Sequence, residues 1–194
     1  PTLEVDLCGH ATMASAKILF EHFPDIAGSE ISFSSKSGIL KVSKNAEDIC
    51  LNFPADDPEL QEMDALFAEA LGKSPIEILR GTDDFLAVFE TEQQIQTMNP
   101  DFTKLAKINS RGVVISAPGN NVDFVSRCFF PQTGVDEDPV TGSAHTMLIP
   151  YWAKQLDKIE FKAHQLSARG GVLDCKLIND RVLISGKSII YFEG

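Results

Sequence analysis

Basic residues are scarce in this chain. It carries 17 Lys and Arg against 28 Asp and Glu, a formal net charge of −11. Binding nucleic acid by phosphate neutralisation needs clustered cations, and this sequence does not cluster them. The acidic balance reads instead as a solvating surface. Long apolar runs are missing too: none approaches the roughly 20 residues of a membrane helix, so no membrane partner is expected. Cysteine is sparse, and the four at positions 8, 50, 128 and 175 lack metal-ligand spacing. Three lie in strand-like patterns, and they read as buried free thiols of a reducing cytoplasm. Pro1-Thr2-Leu3-Glu4-Val5 already reads as strand, so no secretory signal is expected there. That start, without an initiator methionine, leads to the expectation of a preceding segment.

The 194 residues suffice to bury a core, as one large domain or two small ones. Residues 2–7 read as a strand entering the turn at Gly9, and His10–Phe23 as a helix, apolar almost all round and therefore buried, that Pro24 stops. Runs at 30–35, 38–44 and 47–53 read as an antiparallel meander. Asp57-Pro58 predicts a helix start, with the pattern continuing through Leu66, Phe67 and Leu71 to Gly72. Gly72-Lys73-Ser74-Pro75 is the best boundary, giving units 1–73 and 74–185, with 186–194 a final strand returning to the first. The second unit reads as strands at 76–81 and 84–90, short helices at 91–98 and 101–108, strands at 112–119 and 123–131, a helix from Gly142 to about Leu156, and strands at 160–167, 171–177 and 181–192. The order suggests a duplicated α+β unit.

Chemistry concentrates in two stretches. Val135–His145, Val-Asp-Glu-Asp-Pro-Val-Thr-Gly-Ser-Ala-His, crowds three acids, hydroxyls and an imidazole before an apolar helix. Leu7–Thr12, Leu-Cys-Gly-His-Ala-Thr, has the same shape. Cys8-Gly9-His10-Ala11 lies beside Thr141-Gly142-Ser143-Ala144 as x-Gly-polar-Ala, each opening a helix whose first N–H groups lack intrahelical partners. Two such ends facing each other would hold an anion, most simply a substrate carboxylate. His10 and Ser143 then occupy equivalent positions.

Asp138 precedes Pro139, so it is presented from extended backbone. A carboxylate there suits orienting His10 or accepting a proton. Asp136 reads as solvated, and Ser143 could serve only as a helix cap. His145 reads as a packed residue, and His164 has less claim still. A Ser-His-Asp hydrolase ranks third, because Thr141–His145 is not the Gly-x-Ser-x-Gly elbow. A two-cysteine racemase would use Cys8 at its helix N-terminus, but its partner position is Thr141, whose hydroxyl cannot act as a thiolate.

Glu4-Val5-Asp6-Leu7-Cys8-Gly9-His10-Ala11-Thr12, together with Glu137-Asp138-Pro139-Val140-Thr141-Gly142-Ser143-Ala144-His145, resembles the phenazine-biosynthesis PhzF-like isomerase family over essentially the whole chain. The resemblance implies the α+β diaminopimelate-epimerase-like fold: two similar domains, each a curled mixed sheet around a central helix, with the site in the cleft between them. It implies acid/base isomerisation without a cofactor, moving a proton on a small carboxylate-bearing metabolite. His10, Asp138 and Ser143 would be catalytic, with Gly9, Ala11, Thr141, Gly142 and Ala144 holding the substrate. A homodimer is implied, with no metal. The family's main proton-shuttling glutamate lies upstream of the Cys-Gly-His-Ala-Thr turn and has no counterpart here, so these 194 residues alone are expected to be inactive. The alternative is a non-catalytic binding member of the same fold.

Overall fold

The computed structural model describes residues 8–36, 38–45 and 48–190. In chain order these form α1 (Gly9–His22), α2 (Pro24–Ala27), β1 (Glu30–Ser35), β2 (Gly38–Asn45), β3 (Asp48–Pro54), β4 (Glu59–Leu60), α3 (Ala65–Leu71), β5 (Glu77–Arg80) and β6 (Asp84–Val88). There follow α4 (Glu92–Gln96), α5 (Phe102–Leu105), β7 (Gly112–Pro118), β8 (Phe124–Phe130), a 3-10 turn (Pro131–Thr133), β9 (Val135–Asp138), α6 (Gly142–Leu156), β10 (Glu160–Gln165), β11 (Gly171–Ile178) and β12 (Arg181–Gly186). The strand expected at 2–7 lies outside the described residues.

β1, β2 and β3 form the expected antiparallel meander. The strands then run as one sheet in the order β1-β2-β3-β12-β11-β10-β8-β7-β6-β5-β4, with β9 added onto β8. Among the described residues, only β6–β7 and β8–β10 are parallel. β12 is the strand that returns to the beginning of the chain: Arg181–Gly186 pairs antiparallel with β3. Lys187–Ile190 is not strand, and 191–194 lie outside the described residues.

The helix expected from Asp57 starts later, at Ala65. Glu59 and Leu60 pair with Arg80 and Leu79 of β5 instead. The cap is Asp64, whose carboxylate accepts the Leu66 N–H at 2.9 Å, while Asp57 takes an ion pair with Lys154. A second correction concerns α1. Its apolar composition suggested burial all round, yet among the described residues it buries one face, Gly9, Ala16 and Phe20, while Ile18 is exposed.

α6 is the buried helix. Every residue from Ala144 to Trp152 is buried, packed against β6, β11 and β12. Pro150 sits inside it and has no N–H for the carbonyl four residues back. That carbonyl, on Thr146, accepts the Asp56 N–H at 3.0 Å, so the orphaned acceptor is satisfied by the segment after β3. One apolar core joins Phe20, Leu51 and Phe53 to Val88, Leu148 and Trp152. A second lies on the other face of the sheet, under α3, α4 and α5.

Candidate active site

The two longest helices meet at their starts. A Cβ built on Gly9 would lie 3.2 Å from the Gly142 Cα, and one built on Gly142 would lie 3.4 Å from the Gly9 Cα. Phe53 backs both, at 3.5 and 3.7 Å. Only glycine allows this approach without displacing backbone, so the paired motifs bring the N-termini of α1 and α6 together.

Among the described residues, neither end is closed by a side chain. Cys8 and Thr141, the residues at the cap positions, make no capping hydrogen bond, and neither first turn holds an acid. Three of the short helices behave differently: Asp64, Thr91 and Asp101 each accept a first-turn N–H of α3, α4 and α5, whereas α2, which follows Phe23, also lacks a side-chain cap. The donors and positive dipole ends of the two abutting helices are thus free of side-chain caps, the condition for holding an anion.

Asp138 ends β9, opposite Cys128 of β8. Its Oδ2 accepts the Thr141 hydroxyl at 2.5 Å. Its carbonyl accepts Nε2 of Gln165 at 2.7 Å, and the same Nε2 donates to Thr141 Oγ1 at 3.2 Å. Gln165 Oε1 accepts the Thr141 N–H at 2.8 Å. Gln165 is fully buried. Beside this turn burial pushes the Cys128 thiol pKa far up, with the Thr141 hydroxyl only partly opposing it, so Cys128 is an inert thiol.

Ser143 does not cap α6. Arg111 Nη2 lies 3.4 Å from its Oγ. The Arg111 guanidinium is fixed by a bidentate pair with buried Asp84, through Nε at 2.9 Å and through Nη2, and lies over the Phe130 ring. Burial opposes the charge on Arg111, but the hydrogen bond and charge of Asp84 outweigh it and raise its pKa. Ser143 thus stands beside a permanent cation at a helix N-terminus.

His10, one residue beyond Gly9, is exposed, with Nε2 at 3.7 Å from Cys8 Sγ. Among the described residues no hydrogen bond joins it to Asp138 or Ser143, so the fold places it at the same junction without Asp138 orienting it. Ala11 is exposed and Ala144 buried. Glu137 is taken by Arg127 in a bidentate pair at 2.7 and 2.9 Å, and Asp136 is exposed. His145 is wholly buried; its Nδ1 donates to the Thr141 carbonyl at 2.8 Å, and burial lowers its pKa to about 4. Among the described residues no group of three or more His, Cys, Asp or Glu could hold a metal, and no helix is long and apolar enough to cross a membrane.

Sequence reading did not single out Arg111 or Gln165. A signal existed for Gln165. The alternation of β10 buries Phe161, Ala163 and Gln165, and a glutamine on the inward side of a strand is rarely there without partners. Arg111 had no such pattern, because it sits outside the strands in the segment before β7.

The family model for phenazine biosynthesis-like protein (PhzC-PhzF) matches residues 1–194. An uncharacterized isomerase of Pseudomonas aeruginosa is 46% identical over 194 residues, spanning 100% of this chain and 74% of that protein. The crystal structure of a phenazine biosynthesis PhzF-family protein from Enterococcus faecalis superposes with a TM-score of 0.91 at 41% identity, covering 97% of this chain and 72% of that one. A hydroxyproline epimerase from Agrobacterium vitis, solved with bound trans-4-hydroxy-L-proline, shares the fold alone: its TM-score is 0.57 at 12% identity, over 95% of this chain and 64% of the other.

Proposed function

Because the chain belongs to the phenazine biosynthesis-like family, we propose that it is an isomerase that moves a proton between positions of a small carboxylate-bearing metabolite, by acid/base chemistry and without a cofactor. The observation that carries this reading is the contact of two uncapped helix N-termini at Gly9 and Gly142. A substrate carboxylate seated on the N–H groups of Gly9–Ala11 and Gly142–Ala144 would neutralise both dipole ends. Arg111 and Ser143 add a cation and a hydroxyl on the α6 side.

With the anion held there, the neighbouring carbons come within reach of the two side chains that can transfer protons, His10 and Asp138. Acid/base chemistry suits the inventory. An imidazole and a carboxylate exchange protons with carbon acids, and holding the substrate carboxylate against two positive ends stabilises the charge that develops next to it. The short-lived carbanion character would be screened from bulk water on the inner side by Phe53 and the α6 N-terminus.

Incubation with a panel of small carboxylates in D2O, followed by proton NMR, tests the reading, with the 194 residues joined to the glutamate-bearing segment that the family resemblance implies; alone they are expected to exchange nothing. The substrate loses one carbon-bound proton signal as deuterium enters. His10→Ala and Asp138→Ala each slow that exchange by about 100-fold or more, the scale of a lost general acid or base. Unchanged exchange in both variants would remove these residues from the chemistry. A carboxylate that raises the melting temperature without any exchange would instead mark a binding protein.

A further inference from the structure

Thr91 and Thr141 occupy the same position, the residue before a helix, yet they act differently. Thr91 accepts the Gln94 N–H and caps α4. Thr141 gives its hydroxyl proton to Asp138 and leaves α6 uncapped. Both hydroxyls donate, Thr91 to Gln94 Oε1; the difference is that Thr141 Oγ1 accepts from Gln165 and not from its own helix, and the direction of each hydrogen bond follows from the groups involved.

A backbone carbonyl only accepts, so the nitrogen of the Gln165 amide must face the Asp138 carbonyl at 2.7 Å. The oxygen then faces Thr141, whose N–H it accepts at 2.8 Å. The second N–H of the amide reaches Thr141 Oγ1 at 3.2 Å. A hydroxyl that accepts from an amide must send its own proton elsewhere, and the carboxylate oxygen Oδ2 of Asp138 lies 2.5 Å away. The chain of donation therefore runs one way, from Gln165 through Thr141 to Asp138 Oδ2, and each bond polarises the next. Oδ1 of Asp138 takes no hydrogen bond among the described residues.

We infer that Gln165 is a positioning residue: through Thr141 it ties down one oxygen of Asp138 and leaves Oδ1 as the atom that exchanges a proton with the substrate. The same arrangement keeps the Thr141 hydroxyl from capping α6, so one buried amide serves both the proton-transfer group and the anion-holding helix end. This rests on the reading of Asp138 as an acid/base group, but its geometry can be tested without any substrate.

Protein labelled with carbon-13 at the aspartate carboxyl carbons gives one NMR signal per aspartate, and the Asp138 signal is identified by its loss in Asp138→Asn. At one neutral pH, Thr141→Val and Gln165→Leu move the Asp138 signal by more than the spread among the other aspartates. Thr141→Ser leaves it at the wild-type position, because the hydroxyl survives. Val125→Ala removes core volume on the opposite face of the sheet and serves as the destabilised control; it also leaves the signal in place. The assignment is overturned if Thr141→Val or Gln165→Leu leaves the signal unmoved, if Thr141→Ser moves it as far as Thr141→Val, or if Val125→Ala moves it equally. A loss of deuterium exchange alone bears on Asp138 and not on Gln165, so the two readings fail separately.

Discussion

His145 sits at the first turn of α6 with one ring nitrogen bonded to the Thr141 carbonyl and the ring enclosed by protein. Its native pKa is lowered to about 4 by burial, against 6.5 for an unperturbed ring. Between those values the unfolded chain binds a proton that the folded chain refuses, so stability falls as pH drops through that window and is unaffected above it. At about 1.4 kcal/mol per pH unit, the loss reaches roughly 3 kcal/mol by pH 4. Denaturant unfolding of wild type and His145→Gln, at neutral pH and at about pH 4.5, should show the variant losing markedly less stability on acidification. Equal losses would place the acid sensitivity elsewhere.

Gly9 makes the opposite kind of case, in which folding and function separate. Alanine suits a helix better than glycine by about 1 kcal/mol, but its Cβ would press on the Gly142 Cα at 3.2 Å and force the helix ends apart by a few tenths of an ångström. Gly9→Ala should therefore unfold within about 1 kcal/mol of wild type while losing more than about 10-fold in exchange rate, since small misplacements are costly where geometry carries the rate. A variant that exchanges normally would show that the close approach serves packing alone.

At the scale of elements, capping separates the helices of the second core from the two that meet at Gly9 and Gly142. Asp64, Thr91 and Asp101 close α3, α4 and α5, which support the second core. α1 and α6 remain open where they touch. Cys8→Asp would put a carboxylate within reach of the first-turn N–H groups of α1, raising stability by about 1 kcal/mol while competing with the anion. Thermal unfolding and deuterium exchange on the same protein should move in opposite directions; if both rise together, the α1 end does not hold the substrate.

The elements that face this junction were also the most legible in the sequence. Gly142 and Gly9 announced helix starts through local chemistry, and the x-Gly-polar-Ala pairing pointed to their meeting. Asp57-Pro58 misled for a reason outside local chemistry: β5 recruited Glu59 and Leu60 as a partner strand, and Asp64 could cap just as well. Likewise, α1 is apolar on faces that nothing in the described structure covers. The Gln165 and Arg111 networks depend on contacts across 24 to 32 residues of sequence, which no window of periodicity samples.

The whole molecule is held by a sheet that passes through the β3–β12 pairing without a break, and its larger core draws side chains from both halves of the chain. Two units joined by so continuous a ladder should melt together. The sole tryptophan, Trp152, stacks on Phe124 at 5.6 Å and donates to Ser116 at 3.0 Å, so its fluorescence follows the middle of this core. Unfolding followed by Trp152 fluorescence and by far-ultraviolet circular dichroism should give coincident transitions. Two separated midpoints would mean that the halves unfold independently despite the shared sheet.

Pro150 links these scales. By withholding one N–H it releases a rung of α6, and the Thr146 carbonyl fastens to the Asp56 amide instead. The segment that leaves β3 is thus leashed to the helix whose N-terminus meets Gly9. A pull on that segment reaches α6 through this bond and the neighbouring Asp57–Lys154 ion pair without first crossing the sheet, so the helix and the loop share one mechanical fate.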